Sequence, residues 1–375
     1  MARVTVIGPR ILHVYKDVHP EVPGGIERHV DDLRRHVPDA VSDVLVAGRG
    51  VCRTRERQGP NGREVAVWQF GRALSAPLTA GYPRRLRQLA PDLIHLHMPN
   101  PTAELSIFSL PRRKPLVVSY HADIVRQARL LPVYRLLIRR VLQRADVVIS
   151  GTHRLVETSP FLREAAEKVQ VIPYAVDVAA FDRSTVDPPE RSAASGAQDP
   201  LTVLATGRLV YYKGFAQLIA LADRLEGRLV IVGGGPLEKE LRAQAAGREN
   251  VVLTGEVSDR VLRAHLAAAD VFVLPSINRA ESFGIATIEA QAMGVPAVVT
   301  DVGTGTVEAV QDGVTGYVVP PSDADALVAA INTLLGDHEL RATMGQAARR
   351  RAVERFDVHR SADAHRAIYR SLLGC

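Results

Sequence analysis

Short apolar runs alternate along the chain with longer stretches in which apolar side chains recur every three or four residues. The short runs, four to six residues each, have the length of buried strands, and the longer stretches have the spacing of amphipathic helices. In the first half strands are expected at Arg3–Gly8, Ser42–Ala47, Val65–Phe70, Asp92–His97, Leu116–Tyr120, Asp146–Ser150 and Val169–Pro173. In the second half they are expected at Leu201–Thr206, Arg228–Val232, Val251–Thr254, Asp270–Leu274, Ala297–Thr300 and Gly316–Val319. Helical spacing marks Tyr134–Arg144, Leu237–Ala246, Ala286–Met293 and Val358–Leu373, the last with no strand after it. Such alternation predicts an α/β fold with parallel sheets.

The halves echo each other weakly: Ala145–Ser150 and Ala269–Leu274 each carry a helix end into a buried strand. A length of 375 residues exceeds what one hydrophobic core organises, so two domains are expected. Between Asp182 and Pro200 the periodicity gives way to Ser, Ala, Asp, Gly and three prolines, the composition of a linker. The expected organisation is a Rossmann-like domain over 1–181, a linker over 182–200, a second Rossmann-like domain over 201–357 and a helix over 358–375 packing back on the first. Two open parallel sheets would face each other with the carboxyl ends of their strands across a cleft, where such sheets bind ligands.

Composition and charge narrow the class. Hydrophobic content of 46% and charged content of 23% are those of a soluble globular chain. The N-terminus lacks the pattern of a signal peptide, and no apolar run approaches the roughly eighteen residues of a membrane span, so the cytoplasm is the expected location. Cys52 and Cys375 stand far apart, which excludes a disulfide framework or a cysteine-based zinc site. Residues 1–180 hold 27 basic against 17 acidic side chains, while the remainder holds 20 against 24. That asymmetry reads as a face toward anionic lipid headgroups, placing the chain peripherally at the inner face of a membrane, or toward a phosphorylated acceptor. It reads equally as the arginine excess of a GC-rich coding sequence, since only five of the 47 basic residues are lysine. No nucleic acid partner is expected.

The strongest chemistry lies in Arg279-Ala280-Glu281-Ser282-Phe283-Gly284-Ile285-Ala286-Thr287-Ile288-Glu289. Two glutamates eight residues apart flank a Phe-Gly pair just before a helix. A helix N-terminus with glycine at its mouth offers free N–H groups and a positive dipole end to a phosphate. A carboxylate before that helix can accept from sugar hydroxyls, and one within its first turns from a ribose diol. Ordinary acids at a helix start are the plainer reading, but they do not require Phe-Gly between them. After the first strand of the second half, Gly207-Arg208-Leu209-Val210-Tyr211-Tyr212-Lys213-Gly214 places two cations on one strand-to-helix loop. Converging cations can neutralise a departing diphosphate as a metal would.

The glutamate segment closely resembles the Glu-x7-Glu signature of retaining glycosyltransferase family 4, also called glycosyl transferases group 1, and the resemblance extends over nearly the whole chain. It implies a GT-B fold and a metal-independent, retaining transfer of a hexosyl-type sugar from a nucleotide-diphosphate sugar, with no other cofactor. By this resemblance Glu281 meets the donor sugar's hydroxyls, Glu289 holds the ribose, and the backbone of Phe283, Gly284 and Ile285 meets hydroxyls and phosphates. Arg208 and Lys213, with Gly207, bind the diphosphate. Gly24 and Gly25, opening a helix after the first strand's loop, approach the diphosphate from the N-terminal side, and Gly234, Gly235 and Val257 lie around the nucleotide. His121, at the end of the strand Leu116–Tyr120, contacts the sugar near the reacting carbon. Family frequency favours a uridine over a guanosine donor.

Other readings stay open at this level. His95, His97 and His121 could suggest a metal site, but histidines on neighbouring strands are more often core or cleft lining. Asp323-Ala324-Asp325 has the D-x-D spacing of metal-dependent transferases, but its place at a helix start fits capping better. The acceptor is a saccharide or glycolipid hydroxyl, or else a small soluble polyol such as an aminocyclitol. The arginine- and leucine-rich helix Tyr134–Arg144 suits a membrane surface or ordinary inward packing alike. A sugar-nucleotide epimerase, a glycoside phosphorylase and a non-catalytic nucleotide-sugar binder share the architecture. The phosphorylase would need a lysine for pyridoxal phosphate, and the binder would not need both Glu281 and His121.

Overall fold

Every expected strand within the described part of the chain is a strand, and the strands sort into two largely parallel sheets. The computed structural model describes residues 8–19, 21–22, 24–37, 39–48, 53–59, 61–73, 76–123, 131–186 and 200–374. Met1–Tyr174 and Val358–Cys375 form one unit, and Ala175–Asp357 forms a second.

The first unit holds β1 (Arg10–Val14), β2 (Val41–Gly48), β3 (Arg55–Gly59), β4 (Gly62–Trp68), β5 (Gly71–Ala73), β6 (Ala76–Leu78), β7 (Leu93–Met98), β8 (Leu116–Tyr120), β9 (Val147–Ser150) and β10 (Val169–Val171). β5 and β6 pair as a separate antiparallel hairpin. The others form one sheet in the order β10-β9-β8-β7-β1-β2-β4-β3, parallel throughout except for β3 against β4. Side chains alternate between the two faces of a strand. Leu12, Leu96, Leu116 and Val118 pack with the helices Gly81–Leu89, Pro101–Ile107 and Leu131–Arg144. On the other face Ile11, Leu93, Val117 and Ile149 lie under the helices Gly25–His36 and Val358–Leu373. Toward the carboxyl ends of the strands this second face turns from aliphatic to histidine, with His13 on β1 and His95 and His97 on β7, all fully buried.

The second unit holds β11 (Thr202–Thr206), β12 (Arg228–Val232), β13 (Val251–Gly255), β14 (Val271–Leu274), β15 (Ala297–Thr300) and β16 (Gly316–Val319). They form a wholly parallel sheet in the order β13-β12-β11-β14-β15-β16, the doubly wound arrangement of dinucleotide-binding domains. The chain reverses its winding between β11 and β14, and ligands of such sheets bind beyond the strand ends at that point. Valine, leucine and isoleucine dominate these strands because helices cover both faces.

Four expectations need correction or qualification. Among the described residues the first strand of the sheet is Arg10–Val14, where Ile11-Leu12-His13-Val14 is a buried strand interrupted by one polar residue. Residues 3–7 of the expected strand lie outside the described residues, as do Pro23, Cys52 and Cys375. β3 escapes an apolar pattern altogether: Arg55-Glu56-Arg57-Gln58-Gly59 is an exposed, charged edge strand. Residues 175–181, expected in the first domain, belong to the second unit: Val176 bridges to Asp357, and Arg349 donates to the carbonyls of Val178 and Phe181 at 3.1 Å. Of the expected linker, 187–199 lie outside the described residues, and Asp182 pairs with Arg349 at 3.3 Å. The helix Val358–Leu373 has the expected bounds and packs on the first unit.

Candidate active site

In the second unit the loops after β11, β12, β13 and β14 carry most of the residues singled out by chemistry. β11 ends at Thr206 and runs into Gly207 and Arg208; β14 ends at Leu274 and runs into the segment with Glu281. These two loops therefore flank the switch point. Backbone contacts lock them together, since Ile277 N–H donates to the Tyr212 carbonyl at 2.9 Å. Gly214 passes so close to the Pro275 carbonyl that no β-carbon would fit.

The lock brings Lys213 onto Glu281. Lys213 Nζ lies 2.6 Å from Glu281 Oε2, both side chains being largely buried. Ser276 Oγ donates to the same carboxylate oxygen at 3.3 Å, and Thr304 Oγ donates to the Glu281 carbonyl at 2.7 Å. Burial opposes the Lys213 charge, but the Glu281 carboxylate, with Tyr212 and Glu289 adding, outweighs it and holds the ammonium above its ordinary range. Arg208, by contrast, is exposed and has no ion-pair partner among the described residues. One cation of the expected pair is thus engaged and the other open.

The helix runs over Ile285–Ala292, one residue earlier than its expected bounds, with Gly284 as its N-cap. Gly284 has φ +80°, a left-handed conformation, and a β-carbon there would strike the Leu274 side chain. Phe283 is core, its ring edge-on to Phe356 at 5.8 Å, so the backbone of the Phe-Gly pair is fixed from behind. Glu289 is buried on the second turn. Gly234 and Gly235 fold against the β11 loop, where Leu209 N–H donates to the Gly234 carbonyl at 2.9 Å. Val257 is half-buried in the loop after β13, next to the N-cap Ser258. Arg208, Lys213, Glu281, Gly284, Gly234 and Gly235 thus share one end of one sheet. Asp323 caps its helix by accepting from Ala326 N–H at 2.9 Å, and Asp325 pairs with Arg224 at 2.7 Å.

The remaining candidates lie in the first unit. Gly24 is the extended N-cap of the helix that Gly25 begins, and the Glu27 carboxylate folds back against Gly24, so an acid already stands at that mouth. His121 follows β8 and is buried, with both ring nitrogens engaged. Nε2 lies 3.1 Å from His97 Nδ1, and Nδ1 lies 2.8 Å from the Tyr174 hydroxyl. His97 Nε2 in turn lies 3.1 Å from His13 Nδ1. His95 is held by Tyr369 Oη at 2.6 Å and Ser119 Oγ at 2.7 Å. Burial above all holds His13, His95, His97 and His121 well below the usual imidazole range, and pushes His365 down to about 4. Nitrogens of His13, His95 and His97 come within 4.8 Å of one another, close enough to surround an ion. Every ring nitrogen of His95 and His97 already has a partner, however, so an ion would have to break those hydrogen bonds. Sequence reasoning missed His13, Tyr174 and Ser276; only the recurrence of His95 and His97 two residues apart hinted at a polar strand face.

Family models match both halves of the chain: Glycosyltransferase Family 4 over residues 23–180 and Glycosyl transferases group 1 over residues 188–351. The O-antigen chain mannosyltransferase C of Escherichia coli is 32% identical over 97% of this chain and 99% of its own. The chain belongs to glycosyltransferase family 4. Among other family 4 relatives, the GDP-mannose-dependent alpha-(1-6)-phosphatidylinositol monomannoside mannosyltransferase of Mycolicibacterium smegmatis is 37% identical, over 64% of this chain and 66% of its own. In fold this glycosyltransferase matches the sucrose-phosphate synthase of Thermosynechococcus elongatus with a TM-score of 0.75 at 21% identity, covering 98% and 99% of the two chains. The fold is GT-B. No helix among its described residues is long and apolar enough to cross a membrane.

Proposed function

We propose that this glycosyltransferase moves a hexosyl sugar, with retention, from a nucleoside diphosphate sugar to a hydroxyl of a saccharide or glycolipid. The observation that carries the reading is the Lys213–Glu281 pair beside the N-terminus of the Ile285–Ala292 helix, at the switch point of the second sheet. A diphosphate there meets the helix amides, the open guanidinium of Arg208 and the ammonium of Lys213, and no metal enters the scheme. The phosphate draws the ammonium, and the released Glu281 carboxylate accepts from a donor-sugar hydroxyl. Glu289 accepts from the ribose. In a front-face displacement the bond from the anomeric carbon to the phosphate oxygen breaks and the acceptor oxygen bonds on the same face. The acceptor's proton passes to the departing phosphate oxygen, whose charge the two cations and the helix end stabilise.

The donor is proposed to be GDP-mannose or a close analogue, because the relatives named above include a GDP-mannose-dependent enzyme and a mannosyltransferase. This departs from the uridine that family frequency favours. Those relatives also favour a saccharide or lipid-linked acceptor over a small polyol. In keeping with a lipid surface, the helix Leu131–Arg144 leaves Arg135, Leu136 and Arg140 exposed, although Ile138, Val141 and Leu142 pack inward and Arg139 pairs with Glu164 at 2.7 Å. Calorimetry on two variants tests the assignment of the site. Glu289→Ala should weaken binding of free GDP by about tenfold to a hundredfold, and Glu281→Ala should leave it nearly unchanged while turnover falls in both. Equal loss of GDP affinity in both variants would reject the placement of the sugar at Glu281. Release of UDP from UDP-glucose, with none of GDP from GDP-mannose, would reject the donor.

A further inference from the structure

The histidines of the first unit form a row with one direction. From Tyr174 Oη the contacts run to His121 Nδ1, from His121 Nε2 to His97 Nδ1, and from His97 Nε2 to His13 Nδ1. Each ring meets the next Nδ1 to Nε2, with the planes of the His97 and His121 rings nearly parallel, 5° apart. A neutral imidazole carries one N–H and one lone pair. Two neighbours of opposite tautomer would bring two protons, or two lone pairs, together at 3.1 Å in a buried site. The three rings must therefore share one tautomer. The far end selects which: His13 Nε2 is buried and has no partner among the described residues. An orphaned lone pair is tolerated better than an orphaned N–H, which favours a bare Nε2 there.

We infer that His13, His97 and His121 form one tautomer-coupled row, all protonated on Nδ1, in which His97 and His13 are positioning residues that make His121 a neutral donor at Nδ1. The inference rests on the role that the family resemblance implies for His121 at the donor sugar, where a ligand oxygen would take the N–H that Tyr174 now receives. Under it His121 offers a hydrogen bond and does not act as a base. The row also explains why a polar strand face is buried under the helix Val358–Leu373: each imidazole finds its partner in the next.

Nitrogen-15 spectroscopy of the full chain labelled at histidine tests the row without reference to activity. Resonances are assigned through single His→Gln variants. The expected pattern is Nδ1–H on all three rings at pH 7, and any other pattern, including one imidazolium, overturns the inference. Tyr174→Phe should shift the ring nitrogens of His13, which Tyr174 does not touch; unshifted His13 resonances would overturn the coupling. In folded His97→Phe, kcat should fall about tenfold or more with KM for GDP-mannose little changed. An unchanged kcat would overturn the positioning role even where the spectra hold. If the donor reading alone is wrong, the spectra keep the expected pattern.

Discussion

Lys213 and Arg208 show how two cations of similar chemistry come to carry different structural burdens. Lys213 is buried against Glu281, whereas Arg208 is exposed and unpaired among the described residues. Removing Lys213 leaves a buried carboxylate without its counter-charge, which costs stability as well as catalysis. Lys213→Ala should therefore lower Tm and reduce turnover by on the order of 3 kcal/mol in transition-state energy, as for other preorganised charges at a leaving group. Arg208→Ala should reduce turnover with Tm unchanged. Thermal unfolding and steady-state kinetics on the same two variants check this, and equal Tm values for both would contradict the pairing. At this scale the motif was legible because Glu281, Gly284 and Glu289 lie within one loop and helix, where spacing along the chain is also spacing in the fold. Tyr174 and His13 were not legible, because nothing in the sequence says that residues so far apart will meet either end of the row.

Among elements, the helix Pro101–Ile107 carries a buried acid. Glu104 accepts from Asn100 N–H at 2.7 Å and from the Tyr134 hydroxyl at 2.6 Å, both through Oε1, while Oε2 has no partner among the described residues. Burial pushes its pKa up to about 7 from an ordinary 4.5, against the lowering pull of those two bonds. The folded state thus keeps the proton to higher pH than the unfolded chain does. Stability from this group is full below about 4.5 and declines as pH rises toward 7, by about 3 kcal/mol in all. Glu104→Gln should remove that decline, and urea unfolding of both proteins between pH 5 and 8 checks it. Parallel wild-type and variant curves would show that the acid is not held neutral. The strands Leu116–Tyr120, Arg228–Val232, Ala297–Thr300 and Gly316–Val319 could be read residue for residue, because each is a short run of mostly apolar, β-branched residues in a parallel sheet. The edge strand Arg55–Gly59 could not, since its backbone pairs while its side chains stay in water.

Over the whole molecule, charge divides as the chain does, with the excess of basic residues in the first 180 positions. If that excess meets a lipid surface, the protein should cosediment with vesicles rich in anionic lipid at low salt and be released as ionic strength rises. Absence of binding at low salt would point to the arginine excess as composition alone. The two-unit plan was legible from the length of the chain and the break in periodicity between Asp182 and Pro200, but the boundary at Tyr174 was not, since it is set by how Arg349 and Asp357 hold residues 175–182. The return of the helix Val358–Leu373 to the first unit has a consequence for biosynthesis. The first unit is the earlier one to leave the ribosome, yet the helix that covers Ile11, Leu93, Val117 and the histidines is translated only after all of 175–357. The second unit is one continuous stretch, free to fold as it emerges, and the first must wait with one sheet face only partly covered, by the helix Gly25–His36. A nascent chain stalled before Val358 would therefore expose its beginning to chaperones, and a nonsense mutation in the helix Val358–Leu373 would do its damage in the first unit rather than in the second, where Lys213 and Glu281 lie.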